Sequence, residues 1–195
     1  YSLNGFNGKL SLNNKQIING NLIGNFSNKE KFIFTVKSNQ DEKVTTLFLD
    51  KAKPLANRYK FIKGFNDGSL DFSSSKKGDE SISKLKIYDF SLKELPTLTK
   101  ILTLASLKGI ADLLSGEGIR FKELEMNFRN KKNLTTIDEL YAIGPAISIL
   151  MNGYVEKNKL VSLRGTLVPA TTINNVIGSI PILGKILVGS KTGEG

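Results

Sequence analysis

The 195-residue chain contains no cysteine, no tryptophan and no histidine. Without cysteine there is no disulfide, no thiolate nucleophile and no cysteine-based zinc site. That absence does not fix the compartment, because many proteins of oxidising spaces also lack cysteine. Missing histidine excludes more: the usual general base, the Ser-His and Cys-His pairs, and the commonest metal ligand. Asp, Glu, Lys and Tyr remain, but the composition points away from an enzyme, and neither a cofactor nor a metal is expected. No signal peptide opens the chain, and no apolar run reaches the roughly 18 residues of a membrane span. Tyr1-Ser2-Leu3 and Gly193-Glu194-Gly195 read as cut points. The expectation is therefore a section of a longer protein, with any anchor outside it.

What is present is a folded composition, 39% hydrophobic and 24% charged. The apolar residues fall in short alternating runs, which suit sheets with one dry and one wet face. The formal charge of +10 invites a nucleic-acid or anionic-membrane reading. The basic residues are nevertheless spread along a chain rich in Lys, Asn and Ile, as on ordinary solvated faces. Aromatic side chains do not interleave with Arg as a base-stacking platform requires, so no nucleic-acid partner is expected.

The spacing predicts strands over Gly8–Ile18, Asn21–Phe26, Lys31–Val36, Val44–Leu49, Arg58–Ile62, Ser69–Ser73 and Ile82–Leu92. Hairpin turns are expected at Asn19-Gly20, Asn28-Lys29, Asn66-Asp67-Gly68 and Lys77-Gly78-Asp79. Intervals this short leave no room for crossover helices, so 1–92 reads as an antiparallel meander. Residues 93–118 read as an amphipathic helical insertion, with Pro96 in the first turn and Gly116 as the stop. Leu98, Ile101, Leu102, Ile110 and Leu113 lie on its broad apolar stripe. Strands resume at Ile119–Arg129, Leu134–Ile143, Ala146–Glu156 and Lys159–Val168. Residues 119–195 thus continue the sheet and end in short apolar helices around Thr171–Ile177 and Ile182–Val188, all within one continuous domain.

Motifs that could carry chemistry all have plainer explanations. Glu123 and Glu125 share a strand face, but Leu124, Met126 and Phe128 occupy the other, so a solvated outer face is expected. Asp67 and Asp71 lack the ligand density of a calcium loop and fit turn chemistry. The Ser-x-x-Lys spacings at Ser73–Lys76 and Ser81–Lys84 open no helix. Gly116-Glu117-Gly118 lacks a strand-turn-helix context. Asn25-Phe26-Ser27 and Asn133-Leu134-Thr135 are chance matches to a glycosylation pattern in an Asn-rich chain.

The C-terminal third carries a more specific pattern. It includes Leu163-Arg164-Gly165-Thr166-Leu167-Val168-Pro169-Ala170, Ile173-Asn174-Asn175-Val176-Ile177-Gly178 and Ile180-Pro181-Ile182-Leu183-Gly184. Upstream lie Lys86-Ile87-Tyr88-Asp89-Phe90, Leu95-Pro96-Thr97-Leu98, Leu113-Leu114-Ser115-Gly116-Glu117-Gly118-Ile119 and Ala142-Ile143-Gly144-Pro145-Ala146. Together these resemble the AsmA-like C-terminal region of YhdP-type envelope proteins, over roughly Leu85 to Gly195. Gly144, Pro145, Gly165, Pro169, Asn174, Pro181 and Gly184 carry the resemblance.

The resemblance implies a Gram-negative envelope protein in the periplasm, anchored in the inner membrane through a segment outside this chain. Its implied fold is mainly β, a curved antiparallel sheet forming an elongated apolar groove, with one amphipathic helix and short C-terminal helices. Its implied function is conduction of phospholipid between inner and outer membranes, near the outer-membrane end. Phospholipid, both membranes and other envelope proteins are the implied partners. Candidate groove residues, from strand alternation, are Phe32, Phe34, Val36, Leu47, Leu49, Leu124, Met126, Phe128, Ile147, Ile149 and Met151. Leu98, Ile101, Leu102, Ile110, Leu113, Ile182, Leu183, Ile186 and Leu187 are candidates for membrane contact or for closing the groove's end. Periodicity alone fits a closed sandwich core as well as an open groove. A periplasmic assembly factor that holds strands of outer-membrane proteins by edge pairing is the alternative reading.

Overall fold

Runs in which apolar and polar residues alternate, separated by two- to four-residue polar breaks, favour hairpin after hairpin. The computed structural model describes residues 3–26, 29–39, 41–59, 64–93, 118–157 and 160–169. These form ten strands: β1 Leu3–Asn13, β2 Gln16–Phe26, β3 Glu30–Ser38, β4 Lys43–Leu49, β5 Phe65–Lys77, β6 Glu80–Leu92, β7 Ile119–Lys131, β8 Leu134–Ile143, β9 Ile147–Glu156 and β10 Val161–Pro169. One short helix, α1 (Lys53–Tyr59), lies between β4 and β5. All ten strands join a single antiparallel sheet whose spatial order is the chain order. Among the described residues the sheet is open: β1 and β10 each pair on one side only. The expected class, a mainly-β curved antiparallel sheet, is the one observed, with no second sheet among the described residues.

Turn chemistry sets the register. Asn14-Lys15 closes β1 onto β2 with both residues left-handed, at φ 46° and 62°. Gly78-Asp79 closes β5 onto β6, and Lys132-Asn133 closes β7 onto β8. The β6–β7 connection spans 93–118, yet Leu92 still faces Ile119 directly. The helix expected within 93–118, with Leu98, Ile101, Leu102, Ile110 and Leu113, lies outside the described residues. So do the C-terminal segments with Asn174, Pro181, Ile182, Leu183, Gly184, Ile186 and Leu187.

Several local expectations are corrected. Gly8–Ile18 is not one strand: the turn sits at Asn14-Lys15, and Asn19-Gly20 lies inside β2, paired with Lys37 and Val36. Gly20 is tolerated there because the Leu10 side chain occupies the space that a Cβ would fill, 2.5 Å away. Asn66-Asp67-Gly68 is likewise no hairpin turn but part of β5. Arg58 and Tyr59 belong to α1, not to a strand. Pro54 suits a first helical turn, and Ala52 accepts the Leu55 and Ala56 N–H groups at 3.1 and 3.0 Å. The Ala52 N–H in turn donates to the Gly68 carbonyl at 2.6 Å, tying the helix start to β5.

The left-handed residues inside the sheet have a packing role. Ile87 and Phe90 are three residues apart, yet both enter one core cluster, as do Leu70 and Phe65 at a separation of five. Strict alternation would send each pair to opposite faces. Asp89 (φ 50°), Asp67 (φ 60°) and Gly68 (φ 76°) break the phase between them. The break lets Phe90 stack between Phe65 and Phe121, with ring centroids 5.5 and 5.3 Å apart and planes within 17° of parallel. Ala52 and Ala56 of the α1 region, Leu92, Ile119, Ala142 and Ile147 complete the buried cluster.

Phe90 is 1% exposed, so Phe90→Ala should cost about 3–5 kcal/mol by leaving a cavity between two rings. Ile82→Ala, at a side chain 64% exposed, should change stability by less than about 0.5 kcal/mol. Urea denaturation of the two variants checks the contrast.

Candidate functional site

Residues directly opposite one another on antiparallel strands present their side chains on the same face. Following the register from strand to strand therefore draws rows across the sheet. One row runs Gly8, Leu22, Phe34, Leu47, Phe72, Leu85, Met126, Leu140, Met151, Gly165, from β1 to β10. Its neighbour on the same face runs Gly24, Phe32, Leu49, Leu70, Ile87, Leu124, Ala142, Ile149, Leu167, from β2 to β10. Phe6 of β1 packs on Phe32 at 6.3 Å, where the second row reaches the sheet edge. No polar side chain interrupts either row. Nine strand spacings give this apolar lane a length of about 43 Å.

All of the candidate groove residues stand on this face. Phe32, Phe34, Leu47, Leu49, Leu124, Met126, Ile149 and Met151 lie in the two rows. Val36 and Phe128 fall in the next row, where Thr45, Ser74 and Ser83 come between them. Ile147 sits beyond the second row, opposite Pro169. Leu49, Ile147 and Val36 are buried, at 0%, 0% and 4% exposure, and act as packing residues. The first row from Leu22 to Met151 is half-buried throughout and keeps surface open. Leu22, Leu70, Phe72, Leu85, Ile87, Leu140 and Leu167 complete the lane and are not among the groove candidates read from the sequence. Their signal was present in the alternations Leu70-x-Phe72 and Leu85-x-Ile87, masked by the Ser and Lys residues around them.

On the lane itself, α1 lies over β5 and forms one wall of an apolar recess of ≈ 380 Å³. Leu47, Ala52, Leu55, Ala56, Phe65, Leu70, Phe72, Leu85, Ile87 and Phe128 line it, without a polar side chain among them. Of the motif residues within the described segments, Gly144 is buried at the β8–β9 turn, where its N–H donates to the Ile147 carbonyl at 3.0 Å. A Cβ there would strike the Arg120 carbonyl and the Phe121 ring. Gly165 ends the first row opposite Met151, Pro169 ends the edge strand β10, and Pro145 is exposed.

The opposite face is mixed, with Ile23, Ile33 and Phe48 toward β2–β4 and charged side chains at its centre, where one expectation is overturned. Glu125 is not on a solvated surface: it is 8% exposed. Lys84 Nζ and Lys86 Nζ reach its two carboxylate oxygens at 2.6 and 2.9 Å. Asn127 donates to Oε1 at 3.1 Å and the Tyr141 hydroxyl to Oε2 at 3.2 Å. Burial alone would raise the Glu125 pKa, but the hydrogen bonds from Lys84, Lys86 and Asn127 override it and lower it from 4.5 to about 2. Glu125 correspondingly raises the Lys86 pKa, and burial together with the Glu125 and Glu123 charges pushes the Tyr141 phenol up. All three groups are thus held in one protonation state near neutrality, which suits a structural brace and not proton transfer. Among the described residues no cluster of acidic side chains is arranged to hold a metal ion, and no helix is long and apolar enough to cross a membrane.

No protein-family model, no curated protein and no solved structure matches the chain.

The Glu125 brace generates a pH prediction. A carboxylate whose pKa falls on folding stabilises the fold fully above its unfolded value, and that contribution is lost as pH drops through the folded value. Acid destabilisation from this group should therefore develop between about pH 4.5 and 2. Glu125→Gln should cost about 2 kcal/mol at pH 7 and flatten the stability profile over that window, measured by urea titration at several pH values.

Proposed function

We propose that this chain is a section of a periplasm-spanning protein that conducts phospholipid between inner and outer membranes, near the outer-membrane end. The observation that carries the reading is the pair of apolar rows that cross the whole sheet without a polar interruption. Burying a methylene is worth about 0.8 kcal/mol, so two lipid chains exposed to water would cost on the order of 20 kcal/mol. A path without an energy-coupling step must keep that cost low everywhere along it. A lane of half-buried Phe, Leu and Met side chains does so at each strand from β2 to β9, and no gap in it there exceeds one strand spacing. The headgroup stays in water along the lane, so conduction requires no catalytic group and no fixed polar site at each step. The motif resemblance over Leu85–Gly195 supports the same reading and supplies the envelope setting, with an inner-membrane anchor outside this chain.

A second reading, an assembly factor that pairs with strands of outer-membrane proteins, draws on the free edges. On β10, Val161 is 63% and Leu163 42% exposed, and among the described residues neither edge strand is covered on its outer side by another strand. Edge pairing would capture peptide there and leave the lane empty.

Photo-crosslinkers in place of Phe34 and Met126 should capture phospholipid in cells. The same groups at Lys37 and Ser73, exposed on the opposite face, should capture little. Leu85→Asp, which sets a carboxylate in the middle of the first row, should lower lipid capture from Phe34 by at least about tenfold. Equal capture from both faces, or capture of peptide alone through β10, would sink lipid conduction.

A further inference from the structure

Across β4, β5 and β6 the apolar lane ends along the strand direction, between Val36 on one side and Phe128 on the other, and what borders it there is chemically specific. Next to the first row comes a band of hydroxyls, Thr45, Ser74 and Ser83, directly opposed across β4, β5 and β6. Ser83 donates to Ser74 at 2.9 Å, so the band is ordered. One step further along the same face, Lys43 stands directly opposite Lys76. Like charges placed opposite each other destabilise a sheet, and neither lysine has an ion-pair partner among the described residues. Both line a polar recess of ≈ 240 Å³. Along one face the order is thus paired cations, then hydroxyls, then the apolar recess beside α1.

We infer that this succession is a binding site for a single anionic lipid, with its headgroup phosphate between Lys43 and Lys76 and one acyl chain in the recess beside α1. The inference rests on the lipid reading above and adds to it a fixed station and a headgroup preference. Lys43 and Leu47, which lines the recess, are four residues apart on one strand, about 14 Å, a distance that the glycerol and first part of an acyl chain bridge. The recess volume of ≈ 380 Å³ lies at the low end of the ~300–1,000 Å³ of small-ligand sites and suits one chain. The hydroxyl band falls where the ester oxygens of such a lipid would lie; Thr45 and Ser74 can donate to them, while the buried Ser83 hydroxyl is spent on Ser74. Anion binding would also relieve the Lys43–Lys76 repulsion, which gives the anion an advantage over a neutral headgroup. Asp41 lines the same polar recess and opposes it. The Glu42 carboxylate, also at the rim, is engaged by the Ser75 hydroxyl.

The test incubates the whole chain with phosphatidylglycerol or phosphatidylcholine of identical acyl chains and quantifies retained lipid by native mass spectrometry. Wild type should retain phosphatidylglycerol about tenfold better at low salt, as expected for a charge-assisted contact. Lys43→Ala/Lys76→Ala should lose the preference while still retaining phosphatidylcholine, Lys43→Arg/Lys76→Arg should keep it, and Asp41→Asn should strengthen it. Equal retention of the two lipids by wild type, or a preference that survives the double alanine variant, overturns the headgroup site and leaves lipid conduction standing. Retention of neither lipid overturns both.

Discussion

Cross-strand register is the constraint on which the rest of this structure depends. In a sheet of ten strands joined in chain order, each pairing passes the facing of its side chains to the next. A slip of one residue at any hairpin would turn every later strand over and cut both apolar rows. The two-residue turns at Asn14-Lys15, Gly78-Asp79 and Lys132-Asn133 guard against that slip, because a tight turn admits only one pairing. The long β6–β7 connection could have broken the sequence of pairings, yet Leu92 meets Ile119 as though the hairpin were short. The bulges near Phe128 and Ile137 are absorbed on β8 without interrupting the rows, since Leu140 and Ala142 still oppose Met126 and Leu124.

The two faces then divide the work. One carries aliphatic and aromatic side chains and is stiffened by the Phe65–Phe90–Phe121 stack, whose Phe65 and Phe90 the left-handed residues Asp67, Gly68 and Asp89 bring into the cluster with Ile87. The other is braced at its centre by Glu125 between Lys84 and Lys86, on the same two strands that carry Phe90 and Phe121. Apolar packing and charge-assisted hydrogen bonds thus act back to back on β6 and β7, at the middle of the sheet. This leaves the flanking strands free to keep half-buried surface, which a closed sandwich would have consumed.

Much of this was legible in the sequence because alternation is a local signal. Phe32, Phe34 and Val36 were assigned to one face from their spacing alone, and register extended the same assignment to every candidate groove residue. What failed was non-local or lacked a marker residue. Asn14-Lys15 turns without a glycine, whereas Asn19-Gly20 resembles a turn and is a strand position emptied for the Leu10 side chain. Arg58-Tyr59 alternates like a strand, but Pro54 and the fit of Ala52 and Ala56 against the sheet make it helical. Glu125 looked solvated because its lysines lie 39 and 41 residues earlier in the chain. Only the pairing of Lys86 with Glu125 shows that the Lys84-x-Lys86 and Glu123-x-Glu125 spacings interlock.

Strand order has one further consequence. Each strand touches little besides the strand before it and the strand after it, so the sheet behaves as a one-dimensional array with nearest-neighbour couplings. In such an array a hairpin can be gained or lost without rewiring any other contact, and the apolar rows lengthen or shorten by whole strand spacings. Length thereby becomes a quantity that evolution can adjust in steps of about 10 Å per hairpin, independently of the packing that stabilises each step.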